Sequence, residues 1–466
     1  MKHTETDILR IGMKSLFLAG GILLILITLT GITARAVPAG TYERVDTPQG
    51  MSIVEGSFSY TDAPSLPVWR WYTATVEVLF GDDGLMIITI MIFMCLIAGA
   101  VSVMNSGGIL HSLLEGIISS FSTRRYHMEA LIILVLMLFG SVLGSMEEVV
   151  VLVPLLTALA VRMGWDRLTG LGLSLGAIAM GFAAALTNPF TIGVAQRLAG
   201  LPLFSGFLYR LFIFITVYSI YTWYVVRTSS HREVPDTAAV LIDEPVLLDE
   251  RRKRALWWFT ASMAVMALLI ILLSRSSWAD LILPAVLLCF LAGGIGSGAL
   301  SGMSCREIGR SFFRGAVGIA PGTILILMAS SIKHIMVSSH AMDTILFRAS
   351  LMISGQGPYA AVIMVYALVL LLNVFISSGS AKAFLIIPII TPLADMVGLS
   401  RQSAVLAFQF GDGFSNILYP TNALLLICLT ISGVSYLKWL AWIWKIQALL
   451  FIISILFLLG AVRFGY

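Results

Sequence analysis

Charge is scarce in this chain. Only 12% of its 466 residues are Asp, Glu, Lys or Arg, whereas a soluble domain carries about 25%. Hydrophobic residues make up 58% and the mean hydropathy is +0.96. Apolar runs of about 20 residues, the length that one helix needs to cross a bilayer, recur from end to end. They are continuous rather than alternating, which argues against a membrane barrel. The composition excludes a soluble protein and predicts an all-α polytopic membrane protein.

Cysteine pairs and a basic patch are missing as well. The four cysteines, Cys95, Cys289, Cys305 and Cys428, include no CxxC pair, so neither a disulfide framework nor a metal site is expected. The 29 basic and 25 acidic residues leave a net charge of +4, and the basic ones gather in particular loops. We therefore expect the lipid bilayer and a small-molecule substrate as partners, no nucleic acid and no cofactor. Na+ or H+ stays open as a coupling ion.

The apolar runs predict nine membrane spans. These are residues 11–32, 85–104, 168–186, 204–226, 256–273, 281–299, 316–336, 403–414 with a continuation past a break, and 437–460. The one long polar stretch of the first half, 35–84, is rich in Gly, Pro, Ser and Asp. Its segments that begin at Gly40 and Ser57 are typical of short exposed strands and predict a small extramembrane cap.

Two further apolar stretches, 130–161 and 360–396, are too long for one helix each. Small or charged residues interrupt them at 140–148 and 377–382. Two half-length helices that meet at a polar tip satisfy both the length and the interruption, provided that the tip is buried in protein or lines a cavity. We therefore predict two re-entrant hairpins.

Basic residues give the expected orientation. The stretch 227–254 is rich in arginine and is cytoplasmic by the positive-inside rule. Arg124, Arg125 and the arginines of 306–314 fall on the same side if each hairpin enters and leaves by one face, with the N-terminus inside. The expected domains are an N-terminal span (1–34), an extracytoplasmic cap (35–84), a first transport repeat (85–227), a cytoplasmic linker (228–254), linking and scaffold helices (255–314) and a second, inverted transport repeat (315–466).

The two halves share a sequence pattern. Shifted by 234 positions, residues 154–167 match 388–401 at six of 14 positions, against about one expected by chance. The same register superposes Thr187-Asn188 on Thr421-Asn422. With the orientation above, the first hairpin opens to the cytoplasm and the second to the outside, so the repeat is predicted to be inverted. Inverted repeats with discontinuous helices are typical of secondary transporters, whose substrate site lies near the midplane.

Four ionisable residues lie where this topology places the membrane interior: Glu147, Glu148, Lys382 and Asp412. A charge that faces lipid costs about 2.5 to 3.5 kcal/mol at a helix centre, so these side chains are expected to face protein. One interpretation is a structural ion pair, for instance between Glu148 and Lys382. The other is a binding site in which the surplus of carboxylates takes a cationic group, protons or Na+.

Polar residues also interrupt two helical segments at repeat-related places. Proline lacks a backbone donor, and Thr and Asn side chains can replace lost backbone partners, so a simple kink or a binding site fits. Gln196 and Gln409 flank the breaks and suit stabilisation or ligand contact equally. The Ser/Gly cluster of the second tip permits close approach to a ligand, although such clusters also serve helix packing. The candidate binding residues are Glu147, Glu148, Thr187, Asn188, Pro189, Thr191, Ser377, Ser378, Gly379, Ser380, Lys382, Asp412, Ser415, Asn416, Thr421 and Asn422.

Several of these motifs together resemble one family. They are the stretch 377–423, GSMEEVVVLVP from Gly144, FAAALTNPFTIGVAQRLAGLPLFSGFLYR from Phe182, and VPAGTYERV from Val37. These segments are similar to the YfcC family of basic amino acid antiporters, within the C4-dicarboxylate anaerobic carrier-like group of the ion transporter superfamily. The resemblance covers nearly the whole chain. It implies scaffold and transport helices, two opposed hairpins, an elevator-type cycle, dimerisation through the scaffold and a place in the bacterial inner membrane.

The resemblance leaves the substrate open, because the wider group includes arginine/ornithine exchange and dicarboxylate carriage. The surplus of acids favours a secondary active transporter that exchanges a basic amino acid. The alternative is a Na+- or H+-coupled C4-dicarboxylate carrier, in which the acids hold the ion and Ser, Thr and Asn hold the carboxylate. A remote third interpretation is an intramembrane enzyme with Ser378 or Ser380 as nucleophile and Lys382 as base. Duplication argues against it, because catalysis needs one asymmetric site.

Overall fold

The computed structural model describes residues 13–47, 50–54, 56–63, 65–81, 84–110, 112–113, 125–144, 146, 149–229, 249–273 and 281–466. Over these residues the chain forms a helical bundle with a small cap of short strands, which confirms the predicted all-α class. The helices are α1 (Met13–Ala36), α2 (Val68–Glu77), α3 (Gly84–Ser106), α4 (Arg125–Leu138), α5 (Val149–Arg162), α6 (Arg167–Ala183), α7 (Val194–Leu198), α8 (Phe207–Ser229), α9 (Glu250–Leu273), α10 (Ile282–Leu300), α11 (Cys305–Ser338), α12 (Ala341–Ser354), α13 (Pro358–Asn373), α14 (Gly379–Val397), α15 (Arg401–Ser415), α16 (Ala423–Ser432) and α17 (Tyr436–Phe464).

Eight of the described helices are long and apolar enough to cross a membrane. Six of them match predicted spans, and the other two, Arg125–Leu143 and Gly379–Val397, are arms of the predicted hairpins. The three remaining predicted spans are shorter helices: α6, the apolar part of α10, and α15 with α16. Two of these are short because they stop at the predicted breaks. The chain is therefore a multi-pass membrane protein.

Both overlong apolar stretches divide into two helices. A π-helical turn, Phe139–Leu143, extends α4 up to Gly144, which has a φ of 75°. The second stretch breaks between α13 and α14. The second tip was predicted too late in the chain, because Ser378 caps α14 by accepting the Ala381 N–H at 3.5 Å and so starts the helix there. That each pair of helices enters and leaves by one membrane face stays a prediction.

Two helices are interrupted at repeat-related places. After α6 the chain resumes with a π-helical turn, Pro189–Gly193, that leads into α7, and after α15 it resumes as α16. An asparagine caps each resumption. Asn188 Oδ1 accepts from the Phe190 N–H at 2.9 Å, and Asn422 Oδ1 accepts from the Leu424 N–H at 2.9 Å. The two capping asparagines, Asn188 and Asn422, are matched by the same shift of 234 positions as the repeated sequence, which agrees with the duplication.

The two broken helices run in opposite directions. Arg167, the first residue of α6, donates to the Ser432 carbonyl at the end of α16 at 3.3 Å. Reciprocally, Arg401, the first residue of α15, donates to the Ala199 carbonyl just after α7 at 3.0 Å. Each arginine thus satisfies a carbonyl that a helix end leaves without an intrahelical partner.

The cap holds two short antiparallel ribbons. Strand β1 (Gly40–Thr41) pairs with β4 (Ser59–Tyr60), and β2 (Arg44–Thr47) pairs with β3 (Gly50–Ile53). The cap is fastened to α12, since Arg44 forms an ion pair with Asp343 at 2.8 Å and the Phe58 ring stacks on Phe347 at 4.0 Å. The sequence did not predict α2, whose Trp71 packs closely on Gly31 of α1.

Candidate functional site

A buried ion pair joins the second tip to the second helix break. Lys382 lies in the first turn of α14 and Asp412 in the last turn of α15. The Lys382 Nζ is 2.6 Å from Asp412 Oδ1, and both side chains are 0% exposed. Burying two charges is unfavourable unless the geometry is good and further hydrogen bonds satisfy them. The stability of this pair therefore depends on the hydrogen bonds that neighbouring residues form with Lys382 and Asp412.

Asn373, the last residue of α13, supplies part of that support. Its Oδ1 accepts a hydrogen bond from Lys382 Nζ. Its Nδ2 donates to Ser415 Oγ at 2.6 Å, to Asn416 Oδ1 at 3.1 Å and to the Asp412 carbonyl at 3.3 Å. The amide is thereby fixed with its oxygen toward the lysine. Sequence reasoning missed Asn373, although one amide at the end of an apolar helix just before a polar tip is a usable signal.

The network continues into the second break. Asn416 Oδ1 also accepts from Asn422 Nδ2 at 3.3 Å, while Ser415 Oγ donates to the Gly411 carbonyl at 2.7 Å. At the end of α15 the Asp412 carbonyl accepts from Asn373 Nδ2 and the Ser415 carbonyl accepts from the backbone N–H groups of Leu418 and Tyr419, as a break inside a membrane requires.

The second carboxylate oxygen of Asp412 faces the first half of the chain. Oδ2 is buried and has no hydrogen-bond partner among the described residues. A Cβ placed on Gly379 would lie 2.7 Å from Asp412 Oδ2 and 2.7 Å from Thr191 Cγ2. Only glycine fits there without a shift of its neighbours. The second tip and both helix breaks therefore converge at one point.

The first tip meets the first break in a similar way. A Cβ on Gly144 would lie 1.9 Å from Asn188 Oδ1, so the tip passes directly over the cap of the resumed helix. Ser141, one turn earlier, holds the interrupted end of α6. Its Oγ accepts from the Leu186 N–H at 3.0 Å, and its carbonyl accepts from the Thr187 N–H at 3.1 Å.

Four neutral polar groups near the breaks are buried without a partner in the described part of the chain: Asn188 Nδ2, Thr191 Oγ1, Gln409 Oε1 and Thr421 Oγ1. One end of each glutamine that the sequence left open supports the backbone. Gln409 Nε2 donates to the Phe182 carbonyl at 2.8 Å, and Gln196 Oε1 accepts from the Phe204 N–H at 2.6 Å.

Arg210 is a second residue that sequence reasoning missed. Its side chain, only 1% exposed, donates to the carbonyls of Leu186 at 3.1 Å and Phe204 at 2.9 Å. A buried arginine on α8 thus compensates a carbonyl of the first break. The sequence did contain a signal for Arg210, because it is a charged residue inside the apolar run 204–226.

The structure brings together seven of the predicted site residues: Thr191, Gly379, Lys382, Asp412, Ser415, Asn416 and Asn422. Ser377 is exposed, Ser378 acts as a helix cap and Ser380 is half-buried. Glu147 and Glu148 lie outside the described residues, so a pair between Glu148 and Lys382 stays a prediction. The partners of Lys382 Nζ shown here are Asp412 and Asn373.

Comparison with known proteins places this bundle among membrane carriers. The profile of the DcuC family, "C4-dicarboxylate anaerobic carrier", matches residues 16–463. A protein of Escherichia coli (strain K12) named "Putative basic amino acid antiporter YfcC" is 31% identical over 400 residues, which cover 81% of this chain and 78% of that protein. An uncharacterized protein of Haemophilus influenzae (strain ATCC 51907 / DSM 11121 / KW20 / Rd) is 24% identical over 383 residues, 79% of this chain and 74% of its own.

Two solved transporters cover almost the same length. The YdaH transporter of Alcanivorax borkumensis has 17% sequence identity and a TM-score of 0.43, covering 97% of this chain and 99% of its own. MtrF of Neisseria gonorrhoeae has 16% identity and a TM-score of 0.45, covering 96% and 95%.

The matching family is described as a carrier and the YfcC relative is named as an antiporter, neither of them as an enzyme, which contradicts the intramembrane-enzyme interpretation. The resemblance to the YfcC group is confirmed, as are a transport function and a place in the inner membrane. With a profile match across nearly all of its length, this chain belongs to the C4-dicarboxylate anaerobic carrier family, DcuC.

Proposed function

We propose that this carrier exchanges a basic amino acid, such as arginine or ornithine, at a site between its two broken helices. The observation that carries the proposal is the unpartnered Oδ2 of Asp412, buried beside Gly379 and Thr191. A buried polar group without a partner costs about 1 to 3 kcal/mol, and more when it is charged. An ammonium or guanidinium group of a substrate would remove that cost.

An amino acid also fits the neutral groups nearby. Asn188 Nδ2 and the hydroxyls of Thr191 and Thr421 are buried and unpartnered within the described chain, and each can donate to a substrate carboxylate. A basic amino acid carries one further positive charge. The carboxylates of Glu147 and Glu148 at the first tip are our candidates to receive it.

Alternating access would use the two repeats as opposed gates. The antiparallel course of the broken helices, tied by Arg167 and Arg401, supports an inverted arrangement. We further propose, from the resemblance to the YfcC group, that the scaffold helices form a homodimer and that the transport helices move as an elevator.

The second candidate is a C4-dicarboxylate carrier, which the name of the matching family favours. Here the free donor groups at the breaks would hold the two carboxylates. Asp412 disfavours this arrangement, because its unpartnered Oδ2 can only accept hydrogen bonds and a dicarboxylate has no proton to donate to it.

Counterflow in proteoliposomes distinguishes basic amino acid exchange from C4-dicarboxylate transport. Vesicles loaded with unlabelled ornithine should take up labelled arginine one for one, and Asp412→Asn should abolish the uptake. Asp395→Asn is the matched control, since Asp395 pairs with Arg401 at 2.6 Å in a half-exposed position and such pairs contribute little. Uptake of labelled succinate into succinate-loaded vesicles, without arginine exchange, would replace the first candidate with the second.

A further inference from the structure

We propose that the ammonium group of Lys382 is a tethered cation that fills the position of a coupling Na+, so that this carrier works without Na+. The inference rests on the proposed function only in taking Asp412 as part of the transport site. In the resting protein Lys382 neutralises the Asp412 carboxylate, and the transport cycle does not need Na+.

The groups around the ammonium are those that a metal cation would use. Lys382 Nζ is bonded to a carboxylate oxygen of Asp412 at 2.6 Å and to the amide oxygen of Asn373. Carboxylate and amide oxygens are the ligands that hard cations prefer. The Asn373 oxygen is held toward this point because its Nδ2 is bonded to Ser415 and Asn416.

Helix position does not account for the lysine. Lys382 lies in the first turn of α14, and the N-terminal end of a helix disfavours a cation. The ammonium is therefore held against the helix dipole by the oxygens of Asp412 and Asn373. These oxygens, rather than the backbone of its own helix, define the cation position.

Charge balance makes Lys382 and Na+ competitors. Both members of the pair are 0% exposed, so Asp412 and Lys382 together are neutral in a medium that screens charge poorly. A Na+ ion added at the same oxygens would lie next to the ammonium and leave one uncompensated positive charge. Removing the ammonium instead leaves a preorganised carboxylate and amide open to a free cation.

The pair is also unlike a purely structural ion pair. Such a pair is stable in the interior when all of its oxygens and protons are satisfied. Here Asp412 Oδ1 is bonded to the lysine while Oδ2 is buried without a partner in the part of the chain that is described. The carboxylate thus has one side filled by the tethered cation and the other available to substrate.

Thermal unfolding of the purified protein in Na+, K+ or choline at constant ionic strength tests the inference. We expect one midpoint in all three salts for the unaltered protein. Lys382→Ala should gain a saturable rise in the midpoint with Na+, and the double variant Lys382→Ala/Asp412→Asn should lose that gain. Lys445→Ala, at an exposed lysine, should behave like the unaltered protein.

A Na+-specific rise in the unaltered protein would overturn the inference. So would a folded Lys382→Ala protein without the rise, or an equal rise in the double variant. Where Lys382→Ala does not fold, arginine exchange by the unaltered protein in choline buffer on both sides decides: an unchanged rate supports the inference and a loss overturns it. If arginine is not exchanged at all, the proposed function fails, while the salt series of the unaltered protein still decides the tethered cation.

Discussion

At the scale of single residues, sequence reasoning found the charges but not their pairing. Lys382 and Asp412 stand out because ionisable groups in apolar segments are rare and functional. Which acid pairs with the lysine depends on the packing of α13, α14 and α15 against one another, and sequence spacing does not contain that information. The sequence marks Asn373 as a polar residue at the end of an apolar helix, but its partners depend on how three helices meet.

The contact of Gly379 with Asp412 gives a prediction for substrate binding. In Gly379→Ala the new methyl group would lie 2.7 Å from Asp412 Oδ2 and 2.7 Å from Thr191. Overpacking costs about 1 to 3 kcal/mol, and each 1.4 kcal/mol lost from binding is a factor of about ten. We therefore expect arginine affinity, measured by calorimetry, to fall roughly tenfold or more. Gly309→Ala is the control, because a Cβ there meets nothing within 4 Å. Unchanged affinity in Gly379→Ala would place the substrate away from Asp412.

At the scale of the helix and its interruptions, the two breaks were predicted in place, and the Asn caps found there differ in detail. Both resume a helix, as the Thr-Asn pairs of the duplication suggested. Asn422 Nδ2 is bonded to Asn416, whereas Asn188 Nδ2 is buried without a partner among the described residues. One asparagine therefore combines capping with a free donor, and the two roles can be separated.

Asn188→Ala and Asn188→Ser separate them. Loss of the cap in the alanine variant should lower the free energy of unfolding by about 1 kcal/mol, while serine retains a capping oxygen. Both variants lack the amide donor, so we expect both to bind arginine more weakly, by about 0.5 to 1.5 kcal/mol for one hydrogen bond. Asp166→Ala is the control, because Asp166 caps the far end of α6 by accepting the Thr169 N–H at 2.9 Å. It should lose stability and keep its affinity. Full affinity in Asn188→Ser would reduce Asn188 to a cap.

Apolar run length, helix capping and packing explain which helices could be predicted from the sequence and which could not. Long apolar runs gave the spans because the bilayer sets their length. The second tip was placed a few residues late, because the cap of Ser378 starts α14 inside the Ser/Gly cluster. Helix α2 was missed because its polar and aromatic residues lack a long apolar run. It packs instead on α1, where Trp71 lies against Gly31, and on α11, where His334 lies 3.8 Å from Glu77.

At the scale of the whole molecule, the duplication accounts for how the site is shared. Each repeat contributes a tip and a break, and Gly379 brings the second tip against Thr191 of the first break. The arginine that begins each broken helix bonds to the end of the other, so neither repeat completes its helix ends alone. The repeated sequence aligns the two arginines but did not predict these contacts, and the membrane orientation of the repeats stays a prediction.

Labelling of single cysteines in sealed vesicles tests that orientation. In a background without the native Cys95, Cys289, Cys305 and Cys428, Arg125→Cys at the start of α4 and Gln356→Cys just before α13 place one thiol at each hairpin entrance, both exposed. Because the repeats are proposed to be inverted, a membrane-impermeant maleimide should label the first from the cytoplasmic side and the second from the outside.

A protein that keeps only Cys305 is the reference for the cytoplasmic side. This native thiol is exposed at the start of α11, next to the arginines that the positive-inside rule assigns to the cytoplasm. It should be labelled from the same side as Arg125→Cys. If both hairpin entrances were labelled from one side, the two tips could not act as opposed gates. Alternating access between the two broken helices would then lose its structural basis, even though the ion pair of Lys382 and Asp412 would remain where it is.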